Sequence, residues 1–176
     1  SEGINMPFNK IQSEGLDLTD NYAFTGTVTG AGTILQYKIT RAESQLDTSS
    51  STQAEIDTNL RTTITPTSAS NKIIIRVNLP WSDINSGGRS AIVSIYRSIN
   101  GGTYTNLASA ESNTAFQFYN WDEGRYQRPV EYTYIDVTHN TTQSTIYTAY
   151  GATDGGSTVR LGTSDRFSSL EVFEIA

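Results

Sequence analysis

The sequence predicts an all-β protein, an antiparallel β-sandwich or jelly roll with an extended N-terminal arm, and three observations carry that expectation. The apolar residues are rich in Ile, Val, Tyr and Phe, which fit pleated, half-buried surfaces. Apolar positions recur with period two, most plainly in Thr62 to Leu79 (TTITPTSASNKIIIRVNL). Turn signals interrupt the chain about every 8–12 residues, the rhythm of a sandwich or jelly roll, and no stretch sustains a helical period.

The stretch Thr62 to Leu79 organises the rest. Ahead of the turn at Pro66–Asn71, Ile56, Thr58, Leu60, Thr62 and Ile64 share one side of an extended segment. Beyond it, Ile73, Ile75, Val77 and Leu79 alternate with Lys72, Arg76 and Asn78. Pro66 suits a turn entrance, because its ring sets φ and it donates no hydrogen bond. The two arms are therefore expected to pair as strand–turn–strand. Ile74 interrupts the polar side of the second arm, so that side is expected to meet something as well.

Residues 1–32 read as an arm and residues 33–176 as the sandwich domain. In GLDLTDNYAFTGTVTGAG, Leu16, Leu18, Tyr22, Phe24 and Val28 are spaced along a Thr- and Gly-rich extended chain that cannot bury them by itself. Such an arm is expected to dock on symmetry mates or on another protein, as a strand or hook. The competing expectation is a tail or first strand lying on its own domain.

From Thr33, Leu35, Tyr37 and Ile39 alternate with Gln36 and Lys38 as a strand. Arg41 to Ala54 (RAESQLDTSSSTQA) is polar and reads as a long surface connection. Ala91, Val93 and Ile95 form a later strand, and Asn100-Gly101-Gly102 signals a hairpin because these residues tolerate φ > 0. Phe116 and Phe118 share one face. In Arg128 to His139 (RPVEYTYIDVTH), Val130, Tyr132 and Tyr134 face one way and Ile135 and Val137 the other. A turn at Asn140–Thr142 leads to STIYTAYG, and one at Asp154–Gly156 leads to TVRLG and then to a closing strand, SSLEVFEIA. Leu170, Val172, Phe173 and Ile175 suggest burial on both faces of that strand. A surface covered beyond one sandwich follows, and contact between subunits is its natural source.

Composition narrows the function. Hydrophobic residues make up 36%, which suits a thin sandwich with polar outer faces better than a large α/β enzyme. The formal net charge of −6 and the lack of a basic stripe argue against nucleic acid; Arg125 and Arg128 stand beside Asp122 and Glu123. Cysteine is absent, which excludes disulfides and thiolate chemistry. No apolar run approaches the roughly 20 residues of a membrane helix, and SEGINMPFNK lacks a signal pattern, so the chain is expected to fold in a cytoplasm.

Two stretches carry a family resemblance. GLDLTDNYAFTGTVTGAG resembles an N-terminal segment of virion fibre and decoration proteins of tailed bacteriophages, marine and cyanobacterial ones included. TITPTSASNKIIIRV resembles the strand–turn–strand core of their small β-sandwich heads. The resemblance implies a homotrimer on the virion, assembled in the host cytoplasm, with an N-terminal anchor to capsid or tail proteins and an outward jelly roll. The lack of a repetitive shaft points to a short fibre, head fibre or decoration protein, and no catalytic residue transfers with the resemblance.

Candidate chemistry is sparse. His139 is the single histidine, so one subunit cannot hold a two-histidine metal site, and no GxSxG elbow accompanies it. A structural or exposed His139 is expected; three copies around a threefold axis holding an ion is the alternative. Asp122 and Glu123 with Glu131 or Asp136 are the carboxylates a polysaccharide depolymerase would need, but they read first as turn and outer-strand residues. Asp17 and Asp20 lack the ligand density of a calcium loop. No catalytic, metal or cofactor site is therefore expected. The aromatics say more: Trp81, Tyr104, Phe116, Tyr119, Trp121 and Tyr126 fall near strand ends or loops. Trp81, Tyr104, Tyr119, Trp121 and Tyr126 form a candidate ligand platform for a host glycan, unless they cap the core or line subunit contacts. Trp121 is the ring expected to be exposed. The expected function is a non-enzymatic virion protein, with a carbohydrate-binding receptor module as the alternative.

Overall fold

The computed structural model of the protein describes residues 33–85, 87–108, 116–121 and 124–176. The anchoring candidates Leu16, Leu18, Tyr22, Phe24 and Val28 lie outside the described residues, as do Asp17, Asp20, Asp122 and Glu123. Ten strands follow in chain order: β1 (Ile34–Thr48), β2 (Ala54–Glu55), β3 (Thr62–Ile64), β4 (Lys72–Ile84), β5 (Arg89–Ile99), β6 (Thr105–Asn106), β7 (Phe116–Asn120), β8 (Tyr126–Asp136), β9 (Thr145–Thr153) and β10 (Val159–Ile175). One sheet has the order β1-β10-β4-β8; the other runs β2-β9-β5-β6, with β3 also on β9 and β7 also on β5. All the pairings are antiparallel. Among the described residues the chain crosses repeatedly between sheets, and β1 and β10 become neighbours, which is jelly-roll winding.

The core lies between the sheets. Ile73, Ile75, Val77 and Leu79 of β4, Leu170 and Val172 of β10, and Val93 and Ile95 of β5 are fully buried. Period-two alternation placed these side chains inward, as it placed Val130 of β8. The Asn100-Gly101 turn has φ of 50° and 71° and closes the β5–β6 hairpin.

Four expectations need correction. The arms on either side of Pro66–Asn71 do not pair: β3 bonds to β9 and β4 to β10 and β8, in different sheets. Residues 65–71 are an arch between layers, held chiefly by the Glu174 carboxylate, with Gln36 Nε2 also donating to the Thr65 carbonyl (2.8 Å), rather than by a facing strand. The Glu174 carboxylate is fully buried and accepts from Thr67 N (2.7 Å), Thr67 Oγ1 (2.8 Å) and Asn71 Nδ2 (2.6 Å), while Gln36 Nε2 (2.6 Å) holds its second oxygen. The extended segment before Thr62 is likewise broken, by a 3-10 turn over Thr58–Leu60 that Asp57 caps. The polar stretch from Arg41 is no loop through Thr48, because β1 continues along β10, with an irregularity between Glu43 and Gln45. Its backbone groups find partners on β10, which outweighs the polarity of the side chains.

TVRLG and SSLEVFEIA are one strand, β10, rather than two. Residues 163–166 leave the ladder between Gly162, opposite Gln45, and Phe167, opposite Glu43. Gly162 starts this excursion at φ +76°, and a Cβ there would stand 2.1 Å from the Ser44 carbonyl oxygen. Both the left-handed backbone and the close approach require glycine. Gly162→Ala is expected to cost about 3 kcal/mol in chemical denaturation. A loss under about 0.5 kcal/mol would show that β1 and β10 do not close as described.

Candidate functional site

The outer face of the four-stranded sheet is the most distinctive surface among the described residues. Tyr37, Phe173, Ile74 and Ile135 stand directly opposite one another in register, one from each strand. Alternation sends them outward because Ile73, Ile75 and Val172 point to the core. Tyr37 is 48% exposed and Ile135 51%, and the Tyr37 and Phe173 rings lie 4.8 Å apart. Ile34, Leu35, Ile39 and Val137 extend the apolar area as further exposed residues. A parallel row crosses beside it as Ile39, Glu171, Arg76 and Thr133. Arg76 reaches Glu171 at 3.7 Å and sits over the Phe173 ring at 5.8 Å. An apolar band edged by charges of both signs has the make-up of an interface.

The sequence-derived platform divides. Tyr119 and Trp121 pair at 4.4 Å, and Trp121 is 85% exposed. Tyr104 belongs to a different cluster, 6.3 Å from Tyr150, which stacks on Tyr96 at 3.9 Å. There Arg61 lies 5.2 Å from the Tyr104 ring and forms a two-pronged pair with Glu55 (2.8 and 2.7 Å). Burial, chiefly, pushes the Tyr96, Tyr104 and Tyr150 phenols up. Tyr126 begins β8 opposite Ile84, on the other sheet from Tyr119. Trp81 lies at a break in the β4–β8 ladder between Leu79 and Ser82, in a cleft with Arg125, Arg160, Thr163, Asp165 and Arg166. Sequence reasoning missed those arginines, which come together only because β4 and β10 both leave register nearby.

The candidates for chemistry take structural places. His139 is buried, with Nε2 3.4 Å from the Ser68 carbonyl, so it is not presented on a surface that three subunits could share. Glu131 and Asp136 point to opposite sides of β8, Glu131 to solvent and Asp136 into the core. Asp136 is fully buried and accepts from Arg97 Nη1 (2.7 Å), Tyr147 Oη (2.9 Å), Thr138 N (2.8 Å) and Thr138 Oγ1 (2.9 Å). Arg97 and Tyr147 belong to the second sheet, so this carboxylate ties the two layers together. Among the described residues no group of three or more His, Asp or Glu is placed to hold a metal, and no helix is long and apolar enough to cross a membrane.

No protein-family model matches the chain, and no curated protein sequence matches it. Several solved structures are similar in outline, two of which follow. One is Eiger TNF from S. frugiperda, 7% identical with a TM-score of 0.43, the match covering 80% of this chain and 92% of that one. The other is a chain of infectious bursal disease virus, Gx strain, 12% identical with a TM-score of 0.38; the match covers 81% of this chain and 37% of that one.

Proposed function

We propose that this protein is a non-enzymatic structural component of a tailed-bacteriophage particle, a short fibre or capsid decoration protein on the virion surface. Residues 1–32 fasten it to capsid or tail proteins, and the β-sandwich of residues 33–176 projects outward as a homotrimer. The outer face of the β1-β10-β4-β8 sheet joins the copies. The observation that carries this reading is the outward Tyr37–Phe173–Ile74–Ile135 row, whose end members Tyr37 and Ile135 are about half exposed and whose middle members are half-buried in the lone sandwich. At about 25 cal/mol per Å² of apolar surface removed from water, covering such a band favours association. A second copy suits the face because Arg76 and Glu171 supply both charge signs within one patch. The resemblance of GLDLTDNYAFTGTVTGAG to phage N-terminal segments supports the anchor.

Deleting residues 1–32 tests the division of labour. The truncated chain is expected to keep its β-type circular dichroism and its oligomeric mass while failing to enter particles. Normal incorporation of the truncated chain would remove the anchor from the reading. The exposed Tyr119–Trp121 pair favours a second task, recognition of a host-surface glycan, because an uncovered indole stacks well on a sugar face.

A further inference from the structure

We infer that the cleft around Trp81 is a binding site for an acidic saccharide, a sugar bearing a carboxylate, sulfate or phosphate group. The inference deepens the glycan-recognition reading and rests on it, and it moves the ligand from the exposed loop ring to a built site.

Two departures from sheet register make the cleft. On β4, Pro80 and Trp81 fall between the pairings of Leu79 and Ser82 with β8. On β10, the ladder to β4 lapses between Leu161, opposite Ser82, and Ser169, opposite Asn78. The bypassed segment supplies Thr163, Asp165 and Arg166 as one wall. The open cleft has a volume of about 340 Å³, room for a sugar residue rather than a bare ion. The Trp81 indole forms the apolar part, with the guanidinium carbons of Arg125 and Arg160 at 5.3 and 5.8 Å from its ring. Arg160 alternates with buried Val159 and Leu161, so it lies on the outer side of its sheet.

The local carboxylates are already engaged, whereas the arginines are not used up. Asp83 is almost fully buried and takes Nε (2.9 Å) and Nη2 of Arg125 on the same oxygen. Asp47 takes Nε (2.7 Å) and Nη2 (3.3 Å) of Arg160. Asp165 accepts the Thr163 hydroxyl, and that bond, with the Arg166 charge as a lesser influence, holds its carboxyl below the usual range. Among the described residues, Nη1 of Arg125 and of Arg160 has no hydrogen-bond partner, and the Arg166 guanidinium has no ion pair within 4.0 Å. A guanidinium presents a planar fork of donors that fits an oxyanion. Three such groups lining one cleft, two of them beside its indole, offer donors to an anionic substituent and a flat wall to the ring that carries it. The chain's net charge of −6 gives no long-range attraction for anions, so recognition depends on these short contacts.

Titration calorimetry of the full chain with oligogalacturonate, a sulfated oligosaccharide, a phosphorylated oligosaccharide and a neutral oligosaccharide of equal length tests the site. At least one anionic probe is expected to bind, the responding probes identify which oxyanion is read, and the neutral one is expected to bind at least about tenfold more weakly. Arg166→Gln, which breaks no ion pair among the described residues, is expected to weaken the anionic probe about tenfold while oligomeric mass and melting temperature stay unchanged. Arg160→Gln is expected to do the same. Equal binding of neutral and anionic probes overturns the inference, as does no binding by any probe or full binding by both variants. Binding lost with Trp121→Ala and retained with Arg166→Gln would place the glycan at the exposed ring instead. That outcome overturns the cleft and leaves the glycan reading standing.

Discussion

Tyr37→Asp combined with Ile135→Asp is expected to turn the proposed homotrimer into a folded monomer. Both side chains are about half exposed in the single chain, so the charges cost little to the isolated fold. At a contact between copies they would be buried without partners, which costs about 3 kcal/mol per contact, more than a hundredfold in affinity. Sedimentation of the native chain should give three times the chain mass, and the double variant should sediment as one chain with unchanged circular dichroism. The opposite sheet supplies the control: Tyr119→Asp, at a similarly exposed position off this face, should leave the mass alone. A native chain that stays monomeric at high concentration, or a double variant that still assembles, would remove this face as the interface.

Asp136→Ala is expected to lose about 3–5 kcal/mol of stability, because it strands the mostly buried Arg97 guanidinium as an unpaired charge between the sheets. Replacing the carboxylate also leaves the Tyr147 hydroxyl and the Thr138 N–H without their acceptor. Denaturant unfolding reads the loss directly, and a cost under about 1 kcal/mol would mean that the network does not hold the layers together. The same carboxylate makes stability depend on pH. Burial pushes the Asp136 carboxyl up, but the Thr138 N–H and the Arg97 guanidinium outweigh it and hold it below its ordinary value. Glu174 behaves alike: burial raises it, and Asn71, Thr67 and Gln36 together bring it below the ordinary range. A carboxyl depressed in the folded state contributes fully above its unfolded value, about 3.9 for Asp and 4.3 for Glu. The contribution is then lost as pH falls through the lower folded value. Unfolding free energy should therefore be flat from neutral pH to about pH 5 and drop below about pH 4. Asp136→Ala should shrink that drop.

Much of the sandwich was legible from the chain itself. The inward and outward residues of β8, the buried alternation of β4 and the positive φ at Asn100 all follow from local rules. The apolar outer face also left a trace, since Ile74 and Phe173 broke the polar side of otherwise alternating strands. Errors gathered where a distant residue settled the outcome. The arch over residues 65–71 has the residues of a hairpin turn, and only Glu174, far along the chain, gives it another role. Arg41–Thr48 has the composition of a loop, and it is a strand because β10 lies beside it. The cleft at Trp81 had no local sign, since Trp81 stands on β4, Arg125 just ahead of β8, and Arg160 and Arg166 on β10.

That the sandwich is β, and which side chains share a face, could be read from local order alone, because alternation along an extended chain is a property of neighbouring residues. Local order also set the turns, where glycine and asparagine relieve a steric limit at one position. The tertiary structure alone decided which strand bonds to which. Backbone donors and acceptors are chemically alike in every strand, so partner choice falls to the packing of the whole core and to buried carboxylates such as Asp136 and Glu174 that join its layers.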